Sequence, residues 1–346
     1  VKIGIPKALL YYYYGPFWET LFEELGMEVV VSEDTNKKLI NEGIKASVPE
    51  ICVPIKIFIG HCIDLIKKDV DYIFVPRMIS IYKGEVFCPK FMGLPDMLIH
   101  GVEGMGGKIL TCHIKSKSDD ISDYRNYIDI AEKLALPHDK LKKACRVASE
   151  KWYIFREYNK KGYHILEAID MVNNNIKPES TKKFDSDVKL GILGYVYNMY
   201  DSFVNMNVID KLKSLNVDFI TFDMIDEREL KKYVDNMDKA LFWTFSNKLL
   251  GAGYKFFREN EVDGVIHITA FGCGPDSFLG KLFEIESDDT KIPFMTIRVD
   301  EHTGENHLQT RIEAFVDMIR RKKVKAMQWG DKIESSISLY GDSSCL

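Results

Sequence analysis

The chain of 346 residues is too long for one small hydrophobic core, and two domains of about 100–200 residues each are the expectation. Its 46% hydrophobic and 29% charged residues describe an ordinary globular protein, and no apolar run reaches the ~18 residues of a membrane helix. A net charge of −5 argues against nucleic-acid or membrane binding, and seven cysteines in so long a chain are thiols or ligands rather than a disulfide scaffold.

The opening residues Val1-Lys2-Ile3-Gly4-Ile5-Pro6 read as a strand (2–5) rather than a signal peptide, which makes the cytoplasm the expected location. Phe17, Leu21, Phe22 and Leu25 carry helical spacing over 17–25, and Gly26 ends it. A strand follows at 28–31. The stretch 53–66 is an amphipathic helix running into Lys67-Lys68, cations that suit a helix C-terminus. Strands are predicted at 71–76 and 108–113. Strands spaced by helices imply βαβ units and a parallel sheet.

Residues 118–178 are charged and helically spaced, and read as two or three helices between domains; a polar stretch from Asn173 to Ser180 reads as a linker. The first pattern then returns. Lys189-Leu190-Gly191-Ile192 echoes Lys2-Ile3-Gly4-Ile5. Helices are predicted at 204–215, 247–260, 279–283 and 309–321, with strands at 218–222, 240–243, 264–270 and 294–299. The fold class is therefore α/β: two Rossmann-like, doubly wound parallel-sheet domains related by internal duplication, with a helical connector. The expected divisions are 1–117, 118–185, 186–326 and a flexible tail at 327–346.

Three cysteines stand at junctions between these elements and are flanked by Pro or Gly: Cys52 before Val53-Pro54, Cys88 before Pro89, and Cys273 in Phe271-Gly272-Cys273-Gly274-Pro275. Cys52 and Cys273 open helices, where the dipole and free N–H groups favour a thiolate. Gly272 and Gly274 let backbone pass close to a bulky group, while Pro54, Pro89 and Pro275 restrict the loops. Ligands of open α/β sheets gather outside the carboxyl ends of the strands, so all three cysteines are placed to converge in a cleft between the domains. Thiolates select iron–sulfur clusters, zinc or copper(I), and the short Cys pairs of structural zinc sites are absent. Three thiolates without a fourth point to an iron–sulfur cluster with one open iron. Packing as small hydrophobes is the alternative for each. Cys62, Cys112, Cys145 and Cys345 read as structural, although six non-tail cysteines would suffice for a larger double cluster.

Asp300-Glu301-His302 follows the predicted strand 294–299, and Glu301 or His302 is a candidate proton donor; a polar turn capping the next helix explains them equally. Tyr11-Tyr12-Tyr13-Tyr14 follows the first strand and Tyr195-Val196-Tyr197 the equivalent one; they read as packed turns or as cleft walls. The glycine-rich run Gly101–Lys108 has neither the spacing nor the Ser/Thr of a phosphate loop, and Ile109 follows its Lys. ATP hydrolysis is therefore assigned to a partner.

The motifs Lys2-Ile3-Gly4-Ile5-Pro6-Lys7-Ala8-Leu9, Pro49-Glu50-Ile51-Cys52-Val53-Pro54, Cys88-Pro89-Lys90-Phe91-Met92-Gly93-Leu94-Pro95, Phe271-Gly272-Cys273-Gly274-Pro275-Asp276 and Asp300-Glu301-His302-Thr303-Gly304 together resemble the 2-hydroxyacyl-CoA dehydratase and benzoyl-CoA reductase superfamily. The likeness is strongest to its short activase-related proteins. It covers residues 1–100 and 186–322. The resemblance implies a 4Fe–4S cluster on Cys52, Cys88 and Cys273 between two Rossmann-like domains, with Gly272, Gly274, Pro54 and Pro89 shaping its loops. It implies a substrate or small ligand at the open iron, electrons from a separate ATP-hydrolysing activase, and an anaerobic, cytoplasmic setting. The expected activity is electron transfer to, or radical dehydration of, a small or acyl-CoA-type substrate: an oxidoreductase or lyase. Relatives carrying an 8Fe–9S double cubane make that cofactor the alternative. A homodimer or a related second subunit is expected from the same likeness. An accessory cluster carrier and a zinc or metal-free binding module are the competing functions.

Overall fold

In the computed structural model the backbone is described for residues 1–235, 237, 240–300 and 305–341, with side chains described for all of these except 305–307, 326–327 and 329–341. The chain opens with β1 (Lys2–Ile5), α1 (Tyr11–Glu24), β2 (Glu28–Val31), α2 (Lys37–Lys45), α3 (Val53–Lys67) and β3 (Tyr72–Phe74). It continues through β4 (Arg77–Ser80), α4 (Pro89–Met92), α5 (Leu94–Gly101), β5 (Ile109–Leu110) and β6 (His113–Lys115). The first sheet is parallel, in the order β2-β1-β3-β5, and β4 pairs with β6 in a separate parallel ribbon.

α1 starts six residues earlier than the helix spacing predicts and takes in Gly15-Pro16. Burial outweighs that breaker: Tyr13 and Tyr14 are fully buried, and the Trp152 indole N–H donates to the Tyr13 carbonyl at 2.9 Å. α2 went unread in the sequence; Asn36 caps it by accepting from the Leu39 N–H.

The connector consists of α6 (Ile128–Lys133), α7 (His138–Lys160) and α8 (Ile165–Asn173). Leu141, Ala144, Ala148, Trp152 and Phe155 repeat at helical spacing on the buried face of α7, which packs along α1. His164 and Glu167 form a reciprocal cap at the start of α8.

The second half contains β7 (Val188–Leu193), α9 (Val196–Met199), α10 (Val208–Ser214), β8 (Val217–Thr221), α11 (Glu227–Asp235) and α12 (Thr244–Arg258). β9 (Gly264–Ala270), α13 (Gly274–Thr290), β10 (Phe294–Val299) and α14 (Glu305–Gly341) complete it. Its sheet is parallel in the order β10-β9-β7-β8, which is the first sheet's order in its own numbering. Two independently built doubly wound domains would share that order too, so it establishes the common architecture rather than common descent. Every residue of β9 is buried, as a central strand between helical layers requires.

Other elements depart from expectation too, the strand expected at 108–113 among them, which is divided between β5 and β6 in separate sheets. Residues 240–243 are not a strand: Trp243 makes one bridge to Val86, and α12 begins at Thr244. α10 begins at Val208 because Met206 and Asn207 hold positive φ angles. α13 starts at Gly274 rather than 279, since Pro275 suits a first helical turn. The segment expected as a tail continues α14 to Gly341, and residues 342–346 lie outside the described ones. No helix among the described residues is long and apolar enough to cross a membrane.

Candidate functional site

Cys52, Cys88 and Cys273 each occupy the residue immediately before a helix: α3, α4 and α13. Each is followed by Pro in the first turn: Pro54, Pro89 and Pro275. None of the three side chains is spent on a capping hydrogen bond. The sulfurs are thus set at the positive ends of three helices while remaining available to a ligand.

The fold brings all three to one small cavity of about 40 Å³ between the halves. Two backbone straps close it. The Val53 N–H donates to the Phe271 carbonyl at 3.4 Å, joining the Cys52 loop to the Cys273 loop. The Val86 N–H donates to Phe242 O at 2.8 Å and Val86 O accepts from the Thr244 N–H at 3.2 Å, joining the Cys88 loop to α12. Gly272, at φ +77°, lies against Cys52: a Cβ there would stand 3.2 Å from the Cys52 Cα. Gly274 has open space where its Cβ would be. Pro54 and Pro275 belong to the wall, whereas Pro89 acts by fixing the start of α4.

The remaining wall is mostly apolar and aromatic. Tyr195 and Tyr197 stack at 5.4 Å and 10°, and the Tyr195 hydroxyl pairs with Ser246 Oγ at 2.7 Å. Burial pushes both phenols far above their ordinary range, so they stay protonated. Thr244 Oγ1 is buried in this wall without a hydrogen-bond partner of normal geometry. Burial, followed by neighbouring charge, raises the Cys273 thiol well above its usual range; Asp276, Cys52 and Cys88 contribute. Cys88 is raised by burial and by Cys52, while the N–H groups of Lys90 and Phe91 oppose this. Behind Cys273, His267 Nε2 and Asp276 Oδ1 pair at 2.8 Å, both fully buried.

Among the described residues no group of three or more His, Cys, Asp or Glu closes on a single metal ion. The donor set instead suits a soft group: three sulfurs line one cavity, each directly ahead of a helix start. Cys62, Cys112 and Cys145 are buried elsewhere and do not line the cavity. Glu301 and His302 lie outside the described residues. The tyrosines Tyr11–Tyr14 do not wall the cavity; Leu9 and Leu10 do so from that loop. Sequence reasoning missed Trp243, Phe245 and Ser246, which carry no motif. A second groove of about 620 Å³ reaches Val53 and Ile57 on α3 and runs past Phe203, Met206 and Val299.

No curated protein matches the chain. Among solved structures, the SBP FpvC from Pseudomonas aeruginosa in complex with Mn2+ matches at 10% identity, with a TM-score of 0.29, covering 93% of this chain and 99% of that one. A FpvC mutant from the same organism matches at 11%, with a TM-score of 0.26, covering 92% and 98%. Neither likeness carries weight for function. The family description "CoA enzyme activase uncharacterised domain" matches residues 2–225, and "2-hydroxyglutaryl-CoA dehydratase, D-component" matches residues 219–319. Since the first spans well over half of the chain, the protein belongs to the CoA enzyme activase uncharacterised-domain family, within the superfamily of 2-hydroxyacyl-CoA dehydratases and their activase-related proteins.

Proposed function

We propose that Cys52, Cys88 and Cys273 hold one 4Fe–4S cluster through their thiolates, leaving one iron without a protein ligand. The protein then serves the ATP-dependent, low-potential reduction or radical dehydration of a small or acyl-CoA-type substrate. The observation that carries this reading is the convergence, from both halves of the chain, of three helix-opening cysteines on one cavity. When bound, the cluster supplies one-electron chemistry and an open coordination position.

The chain's own residues prepare the place. Three helix N-termini offset the negative charge that the thiolates bring. Gly272 lets the Cys273 loop close on Cys52. Tyr195 and Tyr197 exclude water on one side, and the Tyr195 and Ser246 hydroxyls give a polar contact in an otherwise apolar wall. Because burial raises Cys88 and Cys273, ligand binding displaces their protons.

Electrons come from a separate ATP-hydrolysing activase, in keeping with the two family descriptions. The protein pairs with a copy of itself or a related subunit, and an oxygen-sensitive centre places it in an anaerobic cytoplasm. A double cubane draws no support from Cys62, Cys112 or Cys145, which lie away from the cavity.

Iron and acid-labile sulfide on protein purified without oxygen test the reading, with Cys273→Ser alongside. Equal iron and sulfide in single-cubane amounts, lost in the variant, are expected. Reconstituted protein without iron would sink it. Turnover that depends on an added activase separates an enzyme from an accessory carrier.

A further inference from the structure

Resting on that cluster reading, we propose that Glu85 takes up the proton that accompanies each electron delivered to the cysteine cavity, holding it beside the Thr244 hydroxyl. Glu85 stands three residues before Cys88, just after Gly84, whose φ of +86° turns the chain. The next two residues, Val86 and Phe87, line the cavity. The Val86 strap to Phe242 and Thr244 holds this segment against the start of α12. There the half-buried Glu85 carboxyl lies beside the side chains of Thr244 and Asn247. Thr244 is in turn part of the cavity wall, its hydroxyl oxygen buried and without a partner of normal geometry. Glu85 therefore has one side toward solvent and the other toward a buried hydroxyl of the site.

Among the described residues no lining residue is a carboxylic acid; apart from thiols and phenols, the ionisable group among them is Lys90. Asp276, behind Cys273, is fully buried, with Oδ1 on His267 and Oδ2 without a partner, so it has no face toward water from which to take a proton. An electron arriving in an apolar cavity adds negative charge that little solvent screens. A nearby carboxylate then binds a proton more tightly. Glu85 starts in the right direction: burial raises its pKa, against the opposing pull of Asn247, Thr244, Lys248 on α12 and Lys231 on α11. Lys248 is itself bonded to Asp119 and Glu227, and burial lowers its pKa to about 8 against the pull of Asp119, so its charge is nearly complete at neutral pH and falls above it. In the step, the donor protein loses one electron to the cavity. One proton from water forms an O–H bond on a Glu85 oxygen, and the net charge of the site is unchanged.

The test is a potentiometric titration of anaerobically reconstituted full-length protein, with dithionite as reductant and electron spin resonance as the readout. The expected result is a reduction equilibrium that weakens about tenfold per pH unit around neutrality, as one proton per electron requires. Glu85→Gln is expected to abolish this dependence at unchanged iron content, and Glu85→Asp to keep it. A pH-independent wild type overturns the proposal without recourse to any variant. So does a dependence that survives in Glu85→Gln or disappears in Asp276→Asn. Protein without iron overturns the cluster reading and this inference with it, whereas iron with a pH-independent potential overturns this inference alone.

Discussion

Gly272 and Cys52 meet backbone to backbone across the two halves of the chain: a Cβ on Gly272 would stand 3.2 Å from the Cys52 Cα and 3.5 Å from its Cβ. Gly272 also holds φ at +77°, where a side chain is strained. The contact makes the Cys52 and Cys273 loops a single unit, which the Val53–Phe271 hydrogen bond reinforces.

Gly272→Ala is therefore expected to cost about 1–3 kcal/mol of stability. It should also lower iron uptake by separating the two loops. Gly274→Ala, two residues along, places its methyl group in open space and should leave the unfolding midpoint unchanged. Denaturant unfolding of both variants is the measurement. Equal losses would show that the contact with Cys52 is not what Gly272 provides.

A second link between the halves predicts a pH dependence. His61 Nδ1 lies 2.7 Å from Ser32 Oγ and Nε2 lies 2.9 Å from Thr35 Oγ1, and the Thr35 hydroxyl donates to Asp201 of the second half. Burial lowers the His61 pKa from 6.5 to about 3; Asp64 and Asp34 pull it up, Lys7 and Lys68 down. The unfolded chain thus binds a proton between those values that the folded chain refuses. Stability from this site is complete above pH 6.5 and is lost as pH falls toward 3. The slope is at most about 1.4 kcal/mol per pH unit. Urea midpoints at pH 7, 6 and 5 should fall in the wild type and fall less in His61→Gln. Parallel profiles would remove His61 as the cause.

The sequence was most informative where chemistry needs punctuation. Pro54, Pro89 and Pro275 mark helix starts whatever the tertiary context, so the three cysteine loops were legible and their convergence followed from the strand rule. Elements whose form depends on distant burial were not. Residues 240–243 have the residues of a strand, yet Trp243 finds only Val86 to pair with. Tyr11–Tyr14 look like a turn ahead of Gly15-Pro16, yet packing against α7 winds them into α1. Phe245 and Ser246 reach the cavity only because α12 docks beside the Cys88 loop, a relation no local pattern records.

Lys248 should prove critical to the joint between the halves and the connector. Its ammonium is buried among the rings of Tyr13, Tyr82 and Phe245, bonds Asp119, and lies 2.7 Å from Glu227. Asp119 also accepts from the Tyr13 hydroxyl at 2.5 Å. Lys248→Met leaves Asp119 buried without its cation, an expected loss of about 3–5 kcal/mol. Adding Asp119→Asn should recover part of that loss, because the stranded charge is removed. If the double variant is as unstable as the sum of the two single ones, the two side chains act independently.

The thiols offer the most direct check on the cavity itself. Cys88 and Cys273 are partly exposed at its mouth, while Cys62 and Cys112 are fully buried. In folded, metal-free protein iodoacetamide should modify Cys88 and Cys273 first. Cys62 and Cys112 should react only at the rate of global unfolding, since access to them requires opening of the core. Cys345 lies outside the described residues, so the experiment is run in a Cys345→Ser background with peptide mapping by mass spectrometry. Reconstitution with iron and sulfide should then protect Cys88 and Cys273 and leave the slow pair unchanged. That pattern is specific to a ligand in the cavity, because tightening of the whole fold would slow the buried pair as well. Labelling of Cys62 or Cys112 as fast as Cys88 would mean that the core, not the cavity, is the accessible thiol site.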